Sequence, residues 1–204
     1  MTSLLALLIL FGSAAGASPD LASGLPSAAR QQVGVTVRYD GSYARLAFPG
    51  GDVPIQGGVC TDVLVRAYRK LGIDLQVLVH DDMTVAWTSY PRLWGLLRPD
   101  PSIDHRRVPN LATYFRRHGR SLPIRREGNL FSPGNVVTWR LASGLPHIGI
   151  VSDRAAPDGT PLVIHNIGAG VTEEDVLFAH VVTAQFRYPA GPDGVSQGPR
   201  PSHR

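Results

Sequence analysis

At 204 residues, with 43% hydrophobic and 18% charged side chains, the chain can bury a core without disulfides or metals, and its composition fits neither a membrane protein nor a disordered one. Its 17 prolines and 22 glycines favour a turn-rich α+β domain with loose ends over a helical bundle. The formal charge of +4 is uneven, with Arg106, Arg107, Arg116, Arg117, Arg120, Arg125 and Arg126 in one stretch; without interleaved aromatics this reads as a solvated face or a site for cell-wall or lipid anions, not for nucleic acid.

The stretch MTSLLALLILFGSAAGASPD joins an apolar run from Leu4 to Phe11 to the small residues Ala15-Gly16-Ala17, the pattern of a signal-peptidase site. Cleavage after Ala17 is the expectation. An uncleaved anchor is the alternative, although the run falls well short of the ~20 residues that span a bilayer. On this reading residues 1–17 are a signal peptide, 18–189 one domain and 190–204 a disordered tail rich in Pro and Gly. The protein is then periplasmic or secreted, with no stable membrane insertion after cleavage.

Residues 21–32 can form a short helix, limited at its beginning by Gly24 and Pro26. Val33, Val35 and Val37 alternate and predict a strand that leads through the turn Asp40-Gly41 to a second extended piece. After the loop PGGDVPIQGG, a central helix is expected over 60–71, with Gly72 as its stop. IDLQVLVHDDM reads as extended, and a Pro-broken connection follows. Pro109 suits the first turn of a helix that carries Leu111, Tyr114 and Phe115 on one side and ends at Gly119. SPGNVVTWRL, HIGIVSD, PLVIHNIG and VVTAQFRY then read as four strands.

Cys60 is the single cysteine, and in an exported chain an unpaired thiol is joined to a partner chain, reactive, or simply buried. It opens an apolar helical stripe with Val63, Leu64, Ala67 and Leu71. At a helix N-terminus, unpaired N–H groups and the macrodipole favour thiolate. The preceding Gly57-Gly58 permits a tight turn and close approach of a substrate. Spacing alone leaves nucleophile and inert core thiol both open. A nucleophile needs a base, and the chain has seven histidines. If HIGIVSD and PLVIHNIG pair antiparallel across Asp158-Gly159, His147 and His165 become neighbours, a base and its orienting partner, with Asn166 as the alternative orienter. The same residues, with Asp153 or Cys60, could form a zinc site, but no CxxC or HExxH spacing supports it, and no cofactor is expected. The clusters His80-Asp81-Asp82 and Asp104-His105-Arg106-Arg107 suit capping and buried ion pairs; alternatively His105 and Arg106 line a substrate groove, Arg106 or Arg107 gripping a carboxylate. No G-x-S-x-G is present to support a serine hydrolase.

GVCTDVLVRAYRKLG, followed by PHIGIVSD and PLVIHNIG, resembles the papain-like NlpC superfamily of bacterial cell-wall cysteine hydrolases. More narrowly, the blocks from GDVPIQGGVC to HNIG resemble a bacterial family known as domain of unknown function 1287. The resemblance implies a papain-like α+β fold and a peptidase or amidase of cell-wall peptides, or of a related acyl or amide substrate. It implies Cys60 as nucleophile, His147 as base and His165 as orienting group. Asp62, Tyr43, His105, Arg106 and Asn166 are further candidates for substrate binding, and Tyr39 or Tyr43 for an added donor. Many superfamily members carry Asp immediately before the cysteine; here Val59 stands there and Asp62 lies two positions after, which leaves the usual substrate bond open. A non-catalytic wall- or lipid-binding module and an acyltransferase or thioesterase remain the alternatives.

Overall fold

The computed structural model describes residues 21–190, so the expected signal segment and nearly all of the expected tail lie outside the described residues. Among these residues four α-helices, α1 (Leu21–Arg30), α2 (Cys60–Lys70), α3 (Leu75–Val85) and α4 (Val108–His118), pack against a mostly antiparallel architecture. Two-residue strands β1 (Arg38–Tyr39) and β2 (Gly57–Gly58) pair in parallel beside the start of α2. The main sheet has six strands: β3 (Arg120–Ser121), β4 (Val136–Arg140), β5 (Pro146–Ala155), β6 (Pro161–Asn166), β7 (Val171–Glu174) and β8 (Val181–Arg187), in the order β3-β8-β4-β5-β6-β7. The result is an α+β fold, helices on one face of the sheet.

Strand alternation sorts the side chains between two cores. Val136, Ile148, Ile150, Ile164 and Phe186 face the helices and meet Val63, Leu64, Ala67 and Tyr68 of α2, together with residues of α3 and α4. Val137, Trp139, Val151 and Val163 point the other way and pack with Phe131 and Leu177. His147 and His165 alternate with Ile148 and Ile164, so both lie on this second face, where His147 stacks on Trp139 at 5.6 Å between ring centres.

Three local expectations are corrected. IDLQVLVHDDM is not extended: Asp74 accepts the Gln76 N–H at 2.9 Å and caps α3, which buries Leu75, Val79 and Met83 along one face. Residues 33–35 lie in a turn and 36–37 are irregular, rather than forming a strand, with the valines outside and the polar residues in. Gln32 donates to Val63 O at 2.9 Å and Thr36 to Ile55 O at 2.7 Å, while Val33, Val35 and Val37 are exposed. The segment after Asn166, not read as a strand, forms β7 against β6.

Candidate active site

The corner that starts α2 is crowded, which explains Gly58. A Cβ on Gly58, whose φ is +154°, would lie 2.9 Å from Asp62 Oδ2. That carboxylate oxygen accepts the Val59 N–H at 2.7 Å, the reciprocal half of a capping box. Asp62 also takes two bonds from Arg106, at 2.9 and 3.0 Å, and Arg106 donates further to the carbonyls of Ser42 and Asp40. One turn along, Arg66 donates to Asp52 at 2.8 and 3.1 Å, to Thr36 Oγ1 and to Gly57 O. Asn166, at the end of β6, donates to Gly58 O at 3.0 Å and Arg38 O at 3.2 Å. Together these bonds hold the loop before Cys60 from three sides.

Cys60 is 4% exposed. The β5/β6 ladder pairs Ile150 with Ile164 and Val151 with Val163. Beyond it, the Ile148 amide lies beside the Cys60 sulfur, as do the amides of Cys60 and Thr61, near enough to favour its thiolate. The thiol is therefore seated at the start of β5, against the residue after His147. Among the described residues Sγ and the His147 ring share no hydrogen bond. The three amides favour thiolate, as a helix start should, but burial outweighs them and Asp62 adds to it, pushing the thiol up to about 12. The resting group is a neutral thiol.

His147 Nε2 and His165 Nδ1 lie 2.8 Å apart, the antiparallel neighbours that the hairpin at Asp158-Gly159 predicts. Facing each other in a hydrogen bond, they do not converge on an ion position. Burial, then the charges of His165 and His180, hold His147 down at about 3. Burial also lowers His165, against the opposing pull of Glu174. Gly149 makes this pairing possible: a Cβ there would fall 2.7 Å from Val163 Cγ1 and 3.1 Å from His165 Cβ. His165 Nε2 in turn meets Glu174 Oε1 at 2.9 Å. Glu174 was not among the residues singled out from the sequence. Its signal was the alternation of VTEE after a glycine turn, legible only once that segment is known to be a strand beside β6.

Cys60 lies on the helix side beside the start of β5, whereas His147 and His165 pair on the opposite sheet face, with no hydrogen bond between thiol and imidazole among the described residues; the remaining candidates lie around them. Asp62 and Arg106 are buried and bonded to each other, so neither presents its charge to a groove. His105 is buried beside them, and burial lowers its imidazole to about 4. Asn166 is bonded to backbone carbonyls; the partner of His147 is His165. Tyr43 is exposed and donates to Asp100 Oδ2 at 3.1 Å. Tyr39, whose Cα partner is Gly58, is the tyrosine near the thiol: burial raises its phenol to about 12, with added repulsion from Cys60 and Asp62. Its hydroxyl is thus a neutral donor beside the site. Arg107 lies over the Trp94 ring at 4.1 Å and pairs with Asp104.

The fold is thus an α+β protein with a buried cysteine on the first turn of a helix and a bonded pair of histidines on the adjoining strands. The chain belongs to the family described as domain of unknown function (DUF1287), whose family model matches residues 26–188. It is 55% identical over 160 residues to the uncharacterized protein YijF of Escherichia coli (strain K12), covering 78% of each chain. Among solved structures it is similar to NlpC1 from Trichomonas vaginalis, with 14% identity and a TM-score of 0.46 over 84% of this chain, which spans 45% of that one. No helix among the described residues is long and apolar enough to cross a membrane.

Proposed function

We propose that this chain is an exported cysteine hydrolase of the papain-like NlpC type, a peptidase or amidase acting on peptidoglycan peptides through Cys60, His147 and His165. The observation that carries this reading is a buried Cys60 beside the Ile148 amide, one residue along β5 from a His147 whose Nε2 is held by His165. Attack follows as acyl transfer: His147 takes the thiol proton, sulfur bonds to the amide carbonyl, and the C–N bond breaks as His147 returns the proton to the leaving amine. Water, deprotonated by the same imidazole, then cleaves the thioester and frees the thiol. The amides at the start of α2 and the Tyr39 hydroxyl are the donors at hand for the tetrahedral oxyanion.

Because thiol and imidazole are both neutral at rest, proton transfer accompanies attack, as in a serine hydrolase, rather than preceding it as a standing ion pair. A non-catalytic module that binds anions through Arg106 and Arg107 has less support, since Arg106 is buried against Asp62 and Arg107 is engaged by Trp94 and Asp104. The test is incubation of the purified protein with sacculi and with muropeptides, beside Cys60→Ala and His147→Ala. New amine termini formed by the native chain and absent from both variants are the expected result. Product that persists in Cys60→Ala, or none from any chain across these substrates, overturns the reading.

A further inference from the structure

The two histidines form a chain of hydrogen bonds whose direction their own distances do not set. Each neutral imidazole carries one proton, so the pair can be arranged in two ways. In one, His147 Nε2–H donates to His165 Nδ1, and His147 Nδ1 is a bare acceptor. In the other, His165 Nδ1–H donates to His147 Nε2, His147 carries its proton on Nδ1, and it has no lone pair to offer a thiol. Which arrangement holds depends on what stands at the far end, and that is Glu174. Its Oε1 lies 2.9 Å from His165 Nε2 and accepts the Thr172 hydroxyl at 3.0 Å. An ionised carboxylate only accepts, so His165 Nε2 must be the protonated nitrogen. His165 Nδ1 is then bare and must accept from His147 Nε2–H, which leaves His147 Nδ1 free.

We propose that Glu174 is a positioning residue that fixes the tautomers of both histidines and so makes His147 Nδ1 the base. This rests on the reading of Cys60, His147 and His165 as the reacting set. Glu174 touches neither substrate nor thiol and acts two bonds away. Its side chain is 44% exposed, whereas that of His165 is 1% exposed, so the carboxylate joins an otherwise enclosed pair to the surface. Thr172, directly opposite His165 in the β6/β7 register, keeps Oε1 an acceptor position.

The test reads tautomers directly. Long-range ¹H–¹⁵N correlation spectra of the ¹⁵N-histidine-labelled protein near neutral pH should show both His147 and His165 protonated on Nε2. In Glu174→Leu the two histidines should shift to, or mix with, the Nδ1–H forms. Glu174→Gln should keep the native pattern, because Thr172 still donates to the Oε1 position and holds the amide oxygen there. Nδ1–H tautomers in the native chain, or an unchanged pattern in a folded Glu174→Leu, overturn the proposal. These spectra do not depend on turnover: native tautomers as stated with no muropeptide cleavage would sink the hydrolase and leave the role of Glu174 standing, and reversed tautomers in an active enzyme would do the opposite.

Discussion

Asp62 carries a negative charge into the interior, where its oxygens meet one backbone N–H and the Arg106 guanidinium; the paired side chains are 4% and 2% exposed. Removing one partner of such a pair leaves the other charge buried alone. Asp62→Ala should therefore destabilise the protein by about 3–5 kcal/mol, and Asp62→Leu combined with Arg106→Leu should cost less than either single change. Urea unfolding of Asp62→Ala, of the two single leucine variants and of the double variant measures both. The same residue scale decides how Cys60 behaves. Three amides favour its thiolate and burial opposes it, and burial wins, lifting the thiol to about 12. Alkylation of Cys60 should then quicken by roughly tenfold per pH unit from neutrality upward, with no plateau below about pH 10, since only the thiolate reacts. A plateau already reached in mild acid, the mark of a standing thiolate and imidazolium pair, would contradict this.

At the scale of elements, the site depends on β5 and β6 lying close enough for two imidazoles to meet. Gly149 sets that closeness. Gly149→Ala would force a methyl against Val163, His165 and the Ile164 carbonyl, so the strands must part or His165 must turn away from His147. The expected cost is about 1–3 kcal/mol in unfolding free energy, together with loss of the His147–His165 hydrogen bond, visible in the histidine ¹⁵N spectra. Destabilisation without any spectral change would show that the strand spacing is not what holds the pair. Much of this element was legible in advance, because an alternating HIGIV, a DG turn and a following LVIH determine which residues face each other. Helix α3 was not, because Val77 and Val79 are β-formers in a short window, and the deciding signals were the Asp74 cap and the spacing of Leu75, Val79 and Met83. The valines of 33–37 misled for the converse reason. Alternation marks a strand only if one face is covered, and here Gln32 and Thr36 take the inward positions through bonds to Val63 and Ile55 that no local pattern announces. Glu174 was hidden by the same kind of distance, its role depending on a partner strand.

For the whole molecule, polar ties between helices, and between helix and sheet, share one sensitivity. Arg30 at the end of α1 binds Glu173 on β7 and Asp153 on β5, Arg117 of α4 binds Asp82 of α3, and the histidines of the site are buried neutral. Burial lowers His147 to about 3 and His105 to about 4, from 6.5 when unfolded. Below 6.5 the unfolded chain therefore binds protons that the folded chain refuses, and stability falls as pH drops through that window. Asp82, Asp153 and Glu173, held low by their cationic partners, weaken the fold in the same direction but chiefly at the acid end of it. Asp104, raised by burial, acts the other way. The unfolding free energy should thus decline by roughly 1.4 kcal/mol per pH unit for each of the two histidines, starting near their unfolded value, well before carboxylates titrate. Urea midpoints collected from about pH 8 to about pH 4.5 measure the slope, to which the buried His165 also contributes, and His105→Gln should reduce it. Stability that stays level until the carboxylate range, then drops, would mean that His105 and His147 accept protons in the folded protein. In that case burial would not be what keeps the His147 imidazole neutral below its ordinary pKa.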